Sequence, residues 1–426
     1  MPTGPWRSRP LAGAGPRSDL ALMVLSVALV ALMDRALEDR VSTAMFATTA
    51  AATASTMHAR LAMGRWRAAV QLLACAAVLV MLGAAARVIA VVVVAGLVAS
   101  SLAERSTRRQ AVPRLGAIIG AFAGLTALAA IGAGPVLPWT IATGDVMAAA
   151  AAGMLAPPIM LAIAPIAEWL FGHVTPLTLT EWLNYDHPLL RELAVRAPGT
   201  FQHSVSVGLL ADAAAHAIGA NALLSRVGGL YHDVGKVRAP GYFFENQTGA
   251  NPHDALAPEE SARIQRAHVT DGVELVTAHH MGRRVADFVR EHHGTGEMRV
   301  FFDKAKRLDP DAAAALFHYQ GPRPRSKETA IVMIADQLEA LARSSPPADL
   351  SACEEITART MNRILDSGQL ADAPLDGRDR DKVRAALART VFAMYHRRLA
   401  YPPDRPAVAG PVAFADRWIG GRRRRA

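Results

Sequence analysis

Hydrophobic residues are distributed unevenly along this 426-residue chain. Up to about residue 171 the sequence is rich in Ala, Val, Leu, Ile and Met, whereas from about residue 185 charged and apolar positions are mixed as in water-soluble domains. Such asymmetry is typical of a membrane domain joined to a water-facing domain. We therefore predict a cytoplasmic tail at 1–19, a transmembrane domain at 20–171, a soluble domain at 185–400 and a basic tail at 401–426.

The apolar half divides into six windows, each a candidate membrane-spanning helix. They lie at about 20–33, 41–57, 68–86, 88–103, 115–133 and 144–171. A spanning helix needs about 20 apolar residues, so several of these windows are short or weak. Arg87 separates the third window from the fourth, and a single Arg at mid-membrane is costly. We expect a tight turn there; one long tilted or buried helix is the alternative.

Charged residues orient the six predicted spans. Basic residues precede the first span, lie between the second and third, and lie between the fourth and fifth: Arg7, Arg9, Arg17, Arg60, Arg65, Arg67, Arg105, Arg108, Arg109 and Arg114. The connections after the first and fifth spans carry acidic residues instead: Asp34, Glu38, Asp39 and Asp145. By the positive-inside rule, both ends are cytoplasmic. The first span is expected to stay uncleaved, because no clear small-x-small cleavage site follows it.

The formal net charge of +9 would suit a nucleic-acid partner. Much of the excess, however, flanks the predicted spans or lies in the terminal run Arg422-Arg423-Arg424-Arg425. Such a run either contacts anionic lipid or is a solvated chain end. We therefore expect a lipid bilayer, and neither DNA nor RNA, as a partner. The two cysteines, Cys75 and Cys353, form neither a disulfide framework nor a cysteine-based metal site.

From residue 185 onwards the sequence signals consecutive helices. Pro188 lies near the first turn of one helix, which closes at Pro198-Gly199. Thr200 and Asn221 are predicted to cap the next two helices. Ser351 with Glu354 forms a capping box for a later helix, and a last long helix is predicted at 379–399. Apolar positions from Ile331 to Leu341 keep helical spacing around Asp336. No stretch alternates with period two between hairpin turns, so the soluble domain is predicted to be all-α.

The helical half contains a set of residues that suits two metal ions. The set is His203, His232, Asp233, His268, His292, His293 and Asp336. A carboxylate such as Asp233 can bridge two cations, while imidazoles fill the remaining positions and leave room for water. In a helical bundle these ligands come from different helices. His232 and Asp233, placed on the helix capped by Asn221, would project about 100° apart.

Histidine is also common without any metal. The chain has fourteen histidines, and we assign seven to ordinary surface or hydrogen-bonded roles: His187, His216, His253, His279, His280, His318 and His396. The pair His279-His280 mimics His292-His293, and spacing alone does not decide which pair binds metal. Gly294 after the second pair would let the chain turn both imidazoles inward. At this level a metal site and a coincidence remain open alternatives.

Several motifs occur in one order over about 155–345. They are Asp186-His187-Pro188-Leu189-Leu190, Ala197-Pro198-Gly199-Thr200-Phe201-Gln202-His203-Ser204, Ile218-Gly219-Ala220-Asn221, Tyr231-His232-Asp233-Val234-Gly235-Lys236, Phe244-Glu245-Asn246-Gln247, Asn251-Pro252-His253-Asp254, Ala267-His268-Val269, Glu291-His292-His293-Gly294-Thr295, and the run from Lys327 to Asp336. In these motifs the chain resembles the HD superfamily of metal-dependent phosphohydrolases. More narrowly, it resembles the bacterial seven-transmembrane HD receptors that hydrolyse cyclic di-AMP.

The resemblance implies a role for each candidate. His203, His232 and Asp336 would hold one metal, His268, His292 and His293 the other, and Asp233 would bridge them. His279 and His280 have no ligand counterpart in the family. The resemblance favours iron or manganese, although zinc or nickel would also suit these ligands.

Three further residues are candidates for contacts with the substrate. Lys236 is predicted to contact a phosphoryl oxygen or the leaving group; a cation favoured at a helix C-terminus is the alternative. Asn246 and Lys327 are weaker candidates, because Asn in loops and Lys at helix starts are common without function.

The resemblance predicts a multi-pass phosphodiesterase of the bacterial inner membrane that opens cyclic di-AMP to pApA in the cytoplasm. The alternatives are hydrolysis of another nucleotide, such as cyclic di-GMP or a (p)ppGpp-like compound, and a receptor that only binds nucleotide. No Gly-Tyr-Pro motif follows His292-His293, which disfavours cyclic di-GMP, and the intact ligand set disfavours a receptor. A homo-oligomer is compatible with the sequence, which leaves the oligomeric state open.

The chain also departs from the family in two places. Relatives carry an additional first span and a large extracytoplasmic sensor domain, whereas the connection at 34–40 is too short for one, so we expect a membrane core without it. After His293, Phe301-Phe302-Asp303-Lys304 only partly resembles an aromatic segment of the family.

Overall fold

The computed structural model describes residues 16–37, 41–103, 110–134 and 138–395, and these segments are mostly helical. The apolar half contains α1 (Pro16–Ala36), α2 (Val41–Met63), α3 (Arg65–Met81), α4 (Ala86–Leu102), α5 (Ala111–Gly132) and α6 (Trp139–Phe171). The second half contains α7 (Pro176–Trp182), α8 (Pro188–Arg196), α9 (Pro198–Ala217), α10 (Ala222–Tyr231), α11 (Pro258–Ala278), α12 (Gly282–Glu291), α13 (Arg299–Leu308), α14 (Lys327–Ser344), α15 (Leu350–Asp366) and α16 (Gly377–Tyr395). Within the described segments, strand pairing is limited to one isolated bridge between Glu297 and His318. The all-α prediction is confirmed.

Each apolar window corresponds to one helix of the first half. The predicted turn near Arg87 is confirmed, because α3 ends at Met81 and α4 begins at Ala86. By length and composition, α5 and α6 are able to cross a membrane, and α4 is apolar but shorter. The outer surface of the bundle is also apolar: the exposed fractions are 66% for Leu73, 63% for Leu125 and 72% for Trp169. A surface of this kind indicates association with a membrane.

Glycines allow α5 and α6 to approach closely. Gly116, Gly120 and Gly124 recur every fourth residue along α5 and face α6, and a Cβ added at Gly153 of α6 would lie 2.7 Å from the backbone of Gly120. Small residues at this spacing are typical of helix interfaces in membranes, where close backbone packing replaces the hydrophobic driving force.

The placement of Asp145 in a connection was wrong. It lies inside α6 and is fully buried, where it accepts hydrogen bonds from the Ser42 hydroxyl at 2.7 Å and from Arg87 Nε at 2.8 Å. This paired cation allows a carboxylate to lie within an apolar bundle, so the helix extends past it. Asp34 likewise belongs to the last turn of α1. Several residues used to orient the spans lie outside the described residues: Arg7, Arg9, Glu38, Asp39, Arg105, Arg108 and Arg109.

A second polar cluster lies at the opposite end of the bundle. Asp19 at the start of α1 accepts hydrogen bonds from Arg67 of α3 and from His173 Nε2, the latter at 2.8 Å. His173 belongs to the short segment between α6 and α7. This cluster therefore ties the first helix to the connection that leads into the second half.

The second half has a hydrophobic core of its own. Leu189, Val207, Tyr231, Phe288 and Ile334 are among its fully or almost fully buried members. Helices α9 and α14 of this half contain the candidate ligands His203 and Asp336, and α10 ends immediately before His232. The boundaries of the four predicted segments remain predictions, and the basic tail lies outside the described residues.

The structure tests the predicted helix caps. Asn221 is confirmed, because its Oδ1 accepts the Leu224 amide at 3.0 Å. Thr200 is not a cap, since α9 already begins at Pro198. The box of Ser351 with Glu354 was also wrong: α15 begins at Leu350, and the Asp349 carboxylate accepts the Ala352 amide at 2.8 Å. Asp is a better N-cap than most residues and starts this helix earlier.

Candidate metal centre and active site

The His232-Asp233 pair lies at a junction rather than within a helix, which corrects the prediction. Helix α10 ends at Tyr231, His232 is its C-cap, and Asp233 precedes a 3-10 segment at Val234–Arg238. The chain tightens there because it packs against α11. A Cβ added at Gly235 would lie 1.8 Å from the carbonyl oxygen of His268. Glycine therefore allows the two segments, and the side chains they hold, to meet.

All seven predicted ligands come together around Asp233. They form two groups, one of His203, His232, Asp233 and Asp336 and one of Asp233, His268, His292 and His293, and the ligand atoms within each group lie within 4.8 Å of one another. The grouping is the one that the family resemblance implied, with Asp233 shared.

The two carboxylate oxygens of Asp233 face different groups. Oδ2 lies 3.3 Å from His232 Nε2 and 3.6 Å from His203 Nε2. Oδ1 lies 3.4 Å from His268 Nε2 and 3.5 Å from His292 Nε2. His203 Nε2 is also 2.9 Å from Asp336 Oδ1. A carboxylate that presents one oxygen to each set of imidazoles has the geometry of a bridging ligand.

Hydrogen bonds at the far side of the rings fix the imidazole tautomers. The Nδ1–H of His232 donates to the Gly229 carbonyl at 2.7 Å and that of His292 to the Val289 carbonyl at 2.9 Å. His268 Nδ1 donates to the Gln265 carbonyl. Each bond directs Nε2 at the cluster, where the neutral ring can offer its lone pair to a metal.

His203 is held by a carboxylate instead. Its Nδ1 donates to Glu339 of α14, whose side chain is buried and also accepts a hydrogen bond from the Tyr395 hydroxyl at 3.2 Å. Glu339 lies three residues after Asp336, on the same face of the helix. One helix therefore supplies a candidate ligand and the group that orients a second one.

The electrostatics of the two groups differ. Burial disfavours the charged form of His232, but Asp233 and Asp336 outweigh it and raise the pKa of this imidazole to about 10. For His268, burial dominates and lowers the pKa to about 3. Although burial opposes ionisation of Asp233, Lys236 and His232 hold the pKa of its carboxyl well below the usual range. The group that contains Asp336 therefore has a strongly negative environment that favours cations, whereas the imidazole of His268 is neutral.

Buried polar atoms without a hydrogen-bond partner indicate whether the cluster suits a metal ion. His232 Nε2, Asp233 Oδ1 and His293 Nε2 are buried and have no hydrogen-bond partner among the described residues. Polar atoms are rarely left in this state without a function, and all three belong to candidate ligands. The donors are nitrogen and oxygen throughout, which suits iron, manganese, zinc or nickel. The cluster is able to bind metal ions, and its chemistry does not select among these four.

Lys236 lies next to the carboxylate of Asp233. Its Nζ is 2.6 Å from Asp233 Oδ2 and 2.8 Å from Glu245 Oε1. Despite its burial, these two carboxylates raise the pKa of the ammonium group, so it remains charged. The Thr200 hydroxyl also donates to Glu245 Oε1, at 2.8 Å. Glu245 therefore links Lys236 to the start of α9.

The structure gives Asn246 a structural contact. Its Oδ1 accepts the backbone N–H groups of Gly199 at 2.9 Å and Thr200 at 3.2 Å. Asn246 thus caps the first turn of α9, the role that the sequence had suggested for Thr200. Contact with a substrate remains a prediction for this residue.

Lys327 lies away from the cluster. It is the first residue of α14, and its Nζ lies 2.5 Å from Asp379 of α16. Asp336 follows nine residues later on the same helix, which corresponds to about 13 Å along the axis. Its position does not support the predicted substrate contact.

The pair His279-His280, which resembles His292-His293 in sequence, does not join the cluster. His279 Nδ1 donates to the Leu275 carbonyl at 2.9 Å, and His280 is exposed. His253 and His318 likewise make hydrogen bonds to backbone carbonyls. His396 lies outside the described residues.

The sequence reasoning missed three residues of the site. Glu339 and Glu245 orient His203 and Lys236, and the Tyr319 ring stacks on His293 with ring centroids 4.1 Å apart. The spacing of Glu339 from Asp336 and the adjacency of Glu245 to Asn246 were available signals. Tyr319 follows its partner by 26 residues, and no local pattern links the two.

Comparison with known proteins identifies the class of this domain. The HD domain family model matches residues 200–341, which contain all seven candidate ligands. Residues 200–341 are therefore an HD domain.

Individual relatives are similar to the chain over a longer segment than the family model. The chain is 42% identical over 245 residues to the cyclic-di-AMP phosphodiesterase PgpH of Listeria monocytogenes and 37% identical over 245 residues to that of Bacillus subtilis. Each alignment covers 57% of this chain but 34% of the relative, so the chain spans about a third of the length of these curated relatives. The crystal structure of the L. monocytogenes PgpH HD domain in complex with cyclic-di-AMP matches 50% of this chain and 100% of its own, at 41% identity and a TM-score of 0.48.

Replacing Glu339 by Gln is expected to weaken metal binding at the group that contains His203. The amide is a poorer acceptor for the Nδ1–H, so the imidazole loses both orientation and basicity. We expect a roughly 10- to 100-fold loss in affinity for the metal at this group, measured by competition with a chromogenic chelator. Glu354→Gln, on the exposed face of α15, is the matched control. Equal affinities in the two variants would contradict this role.

Metal binding is expected to release protons near neutral pH. In the metal-free site His232 is protonated, because its pKa is about 10, and a ligand imidazole must be neutral. Raising the pH removes the competing proton, so apparent affinity should rise by about tenfold per pH unit below that value for each proton displaced. Isothermal titration calorimetry in buffers of different ionisation enthalpy measures the proton count. A binding heat independent of the buffer would contradict the prediction.

Proposed function

We propose that this chain is a membrane-bound, two-metal phosphodiesterase that hydrolyses a cyclic dinucleotide, and that it opens cyclic di-AMP to pApA. The position of Asp233 between two imidazole groups is the observation that carries the metal chemistry. The substrate is supported by the similarity to two cyclic-di-AMP phosphodiesterases.

The proposed ligands follow from the two groups. His203, His232 and Asp336 hold one ion, His268, His292 and His293 hold the other, and Asp233 is shared. Bound in this way, two divalent cations, iron or manganese by family resemblance, supply an activated water and neutralise charge on phosphoryl oxygens.

Lys236 is proposed to act on the substrate directly. An ammonium group has three N–H donors, and contacts with Asp233 and Glu245 engage two of them. The remaining donor is available for a phosphoryl oxygen or the leaving oxygen. Because both carboxylates keep it charged and fixed, it can stabilise the negative charge that grows during hydrolysis without reorienting.

A multi-pass topology in the bacterial inner membrane completes the proposal. Arg17, Arg60, Arg65 and Arg67 lie where α1 begins and where α2 meets α3, the same end of the bundle from which α6 leads into the HD domain. The positive-inside rule assigns this end to the cytoplasm. Periplasmic and cytoplasmic reporters fused within the connections at 82–85 and 172–175 test the topology. A periplasmic signal at 172–175 would contradict it.

The activity is tested with the full chain in nanodiscs, supplied with manganese or iron. Cyclic di-AMP is expected to be converted to pApA faster than cyclic di-GMP is hydrolysed. With two metals bound per chain, absence of turnover on any cyclic dinucleotide would overturn the enzymatic proposal. Faster hydrolysis of cyclic di-GMP would overturn the substrate assignment alone.

A further inference from the structure

The membrane half contains an apolar cavity that the proposed reaction does not use. It has a volume of about 300 Å³ and lies between α1, α2 and α6. We call it the lateral groove. Among its lining residues, which include Leu22, Leu29, Phe46 and Ile163, Ser55 and His58 alone have polar side chains.

Small side chains on one face of α2 create the lateral groove. Ala47, Ala51, Ala54 and Ser55 recur at helical spacing towards His58 and leave the space that larger residues would fill. From Ala47 to His58 the helix rises about 16 Å, so the groove is elongated along α2. Leu29 and Ile163 on the flanking helices are 40% and 50% exposed. The groove therefore opens onto the outer surface of the bundle, where the proposed topology places lipid chains.

His58 marks one end of the groove and lacks a polar partner. It is 6% exposed, and neither ring nitrogen has a hydrogen bond among the described residues. Leaving buried polar groups unpaired costs about 1–3 kcal/mol each. An ordered water needs two to four polar partners, and the apolar walls offer little besides His58 itself. A bound molecule with a polar group of its own would satisfy the ring nitrogens of His58.

The position of His58 also agrees with a polar head group at the membrane boundary. It lies near the cytoplasmic end of α2, and its ring centroid is 6.4 Å from that of His173, which is paired with Asp19. An occupant with its head at His58 would therefore place its tail towards the bilayer centre, along the alanines of α2. This is the orientation of an amphiphile in one leaflet.

We propose that the lateral groove binds a long-chain fatty acid, with its carboxyl group on His58 and its alkyl chain along α2. A neutral imidazole offers one donor and one acceptor, and a carboxylic acid offers the same pair in return. If the proton moves to the ring, the two groups form a charge-assisted hydrogen bond instead. The inference rests on the proposed membrane topology, but its test does not depend on phosphodiesterase activity.

The test uses the full chain in nanodiscs of phosphatidylcholine and phosphatidylglycerol, with palmitic acid that carries a photoreactive group in its chain. Mass spectrometry of peptides should place the label on α1, α2 and α6. Ala51→Trp fills the groove and should reduce labelling by about tenfold or more, and His58→Phe by about tenfold, the equivalent of one good hydrogen bond. Ala121→Trp on the exposed face of α5 should leave labelling unchanged.

A competition experiment on the unmodified chain covers the case in which a variant fails to fold. Unlabelled palmitic acid should suppress labelling at lower concentration than methyl palmitate, which lacks the acidic proton. Equal suppression by the two, label spread evenly over the outer faces of α3 and α5, or undiminished labelling of a folded Ala51→Trp variant would each overturn the proposal.

Discussion

Replacing Asp233 by Asn is expected to slow hydrolysis about a thousandfold and to reduce the bound metals from two to at most one. The amide keeps the shape of the side chain but loses its charge, and its nitrogen cannot serve as a ligand oxygen. The two imidazole groups lie on opposite oxygens of this one carboxylate, so neither metal keeps its full set of ligands. Loss of the electrostatic stabilisation of the transition state corresponds to about a thousandfold lower kcat, or about 4 kcal/mol. Turnover and metal content, the latter by atomic emission, are measured on the same sample.

The control for this variant is Asp254→Asn. Asp254 is exposed in a neighbouring 3-10 segment, and the same change there removes a charge without touching the cluster. It should leave both readouts within about twofold of the original chain, since surface substitutions are usually close to neutral. If Asp233→Asn retained two metals and turnover comparable to this control, the bridging role would be wrong.

The sequence predicted which candidate ligands come together better than it predicted their local geometry. Seven residues spread over more than a hundred positions were identified because motif order and residue chemistry are visible in a sequence. The junction at Asp233 was not, since the switch from α-helix to a 3-10 segment depends on contact between Gly235 and α11, which are brought together by the fold. Local capping rules failed at Thr200 for the same reason: the acceptor for its amide, Asn246, lies 46 residues away.

In the membrane half too, the sequence predicted features that depend on neighbouring residues and missed those that depend on residues far apart in the chain. Hydropathy located all six helices, including the break before Arg87, because each helix is a continuous apolar segment. It misplaced Asp145 since charge alone suggested a loop, whereas burial becomes acceptable once Arg87 and Ser42 from two other helices pair with it. The lateral groove was equally invisible, because it depends on which residues of α1 and α6 face the small residues of α2.

Replacing Gly235 by Ala is expected to destabilise the HD domain by about 3 kcal/mol and to disrupt the metal site with it. A Cβ at this position would lie 1.8 Å from the His268 carbonyl oxygen and 2.5 Å from the Gly272 amide nitrogen. Both are backbone atoms, so no side-chain rotation relieves the overlap, and α11 must move away from Asp233. His268 moves with it, and the distance that allows one ion to contact both residues is lost.

Gly241→Ala is the matched control for this substitution. Gly241 lies in a nearby 3-10 segment, and a Cβ there meets no atom within 4 Å. Chemical denaturation of the metal-free protein separates stability from metal affinity, and chelator competition then measures the second. Gly241→Ala should match the original chain in both measurements, whereas Gly235→Ala should lose stability before any metal is added. A Gly235→Ala variant with unchanged stability but weakened metal binding would contradict the predicted loss of stability. It would show that α11 shifts locally, and that the close approach of the two backbones positions the candidate ligands without stabilising the domain.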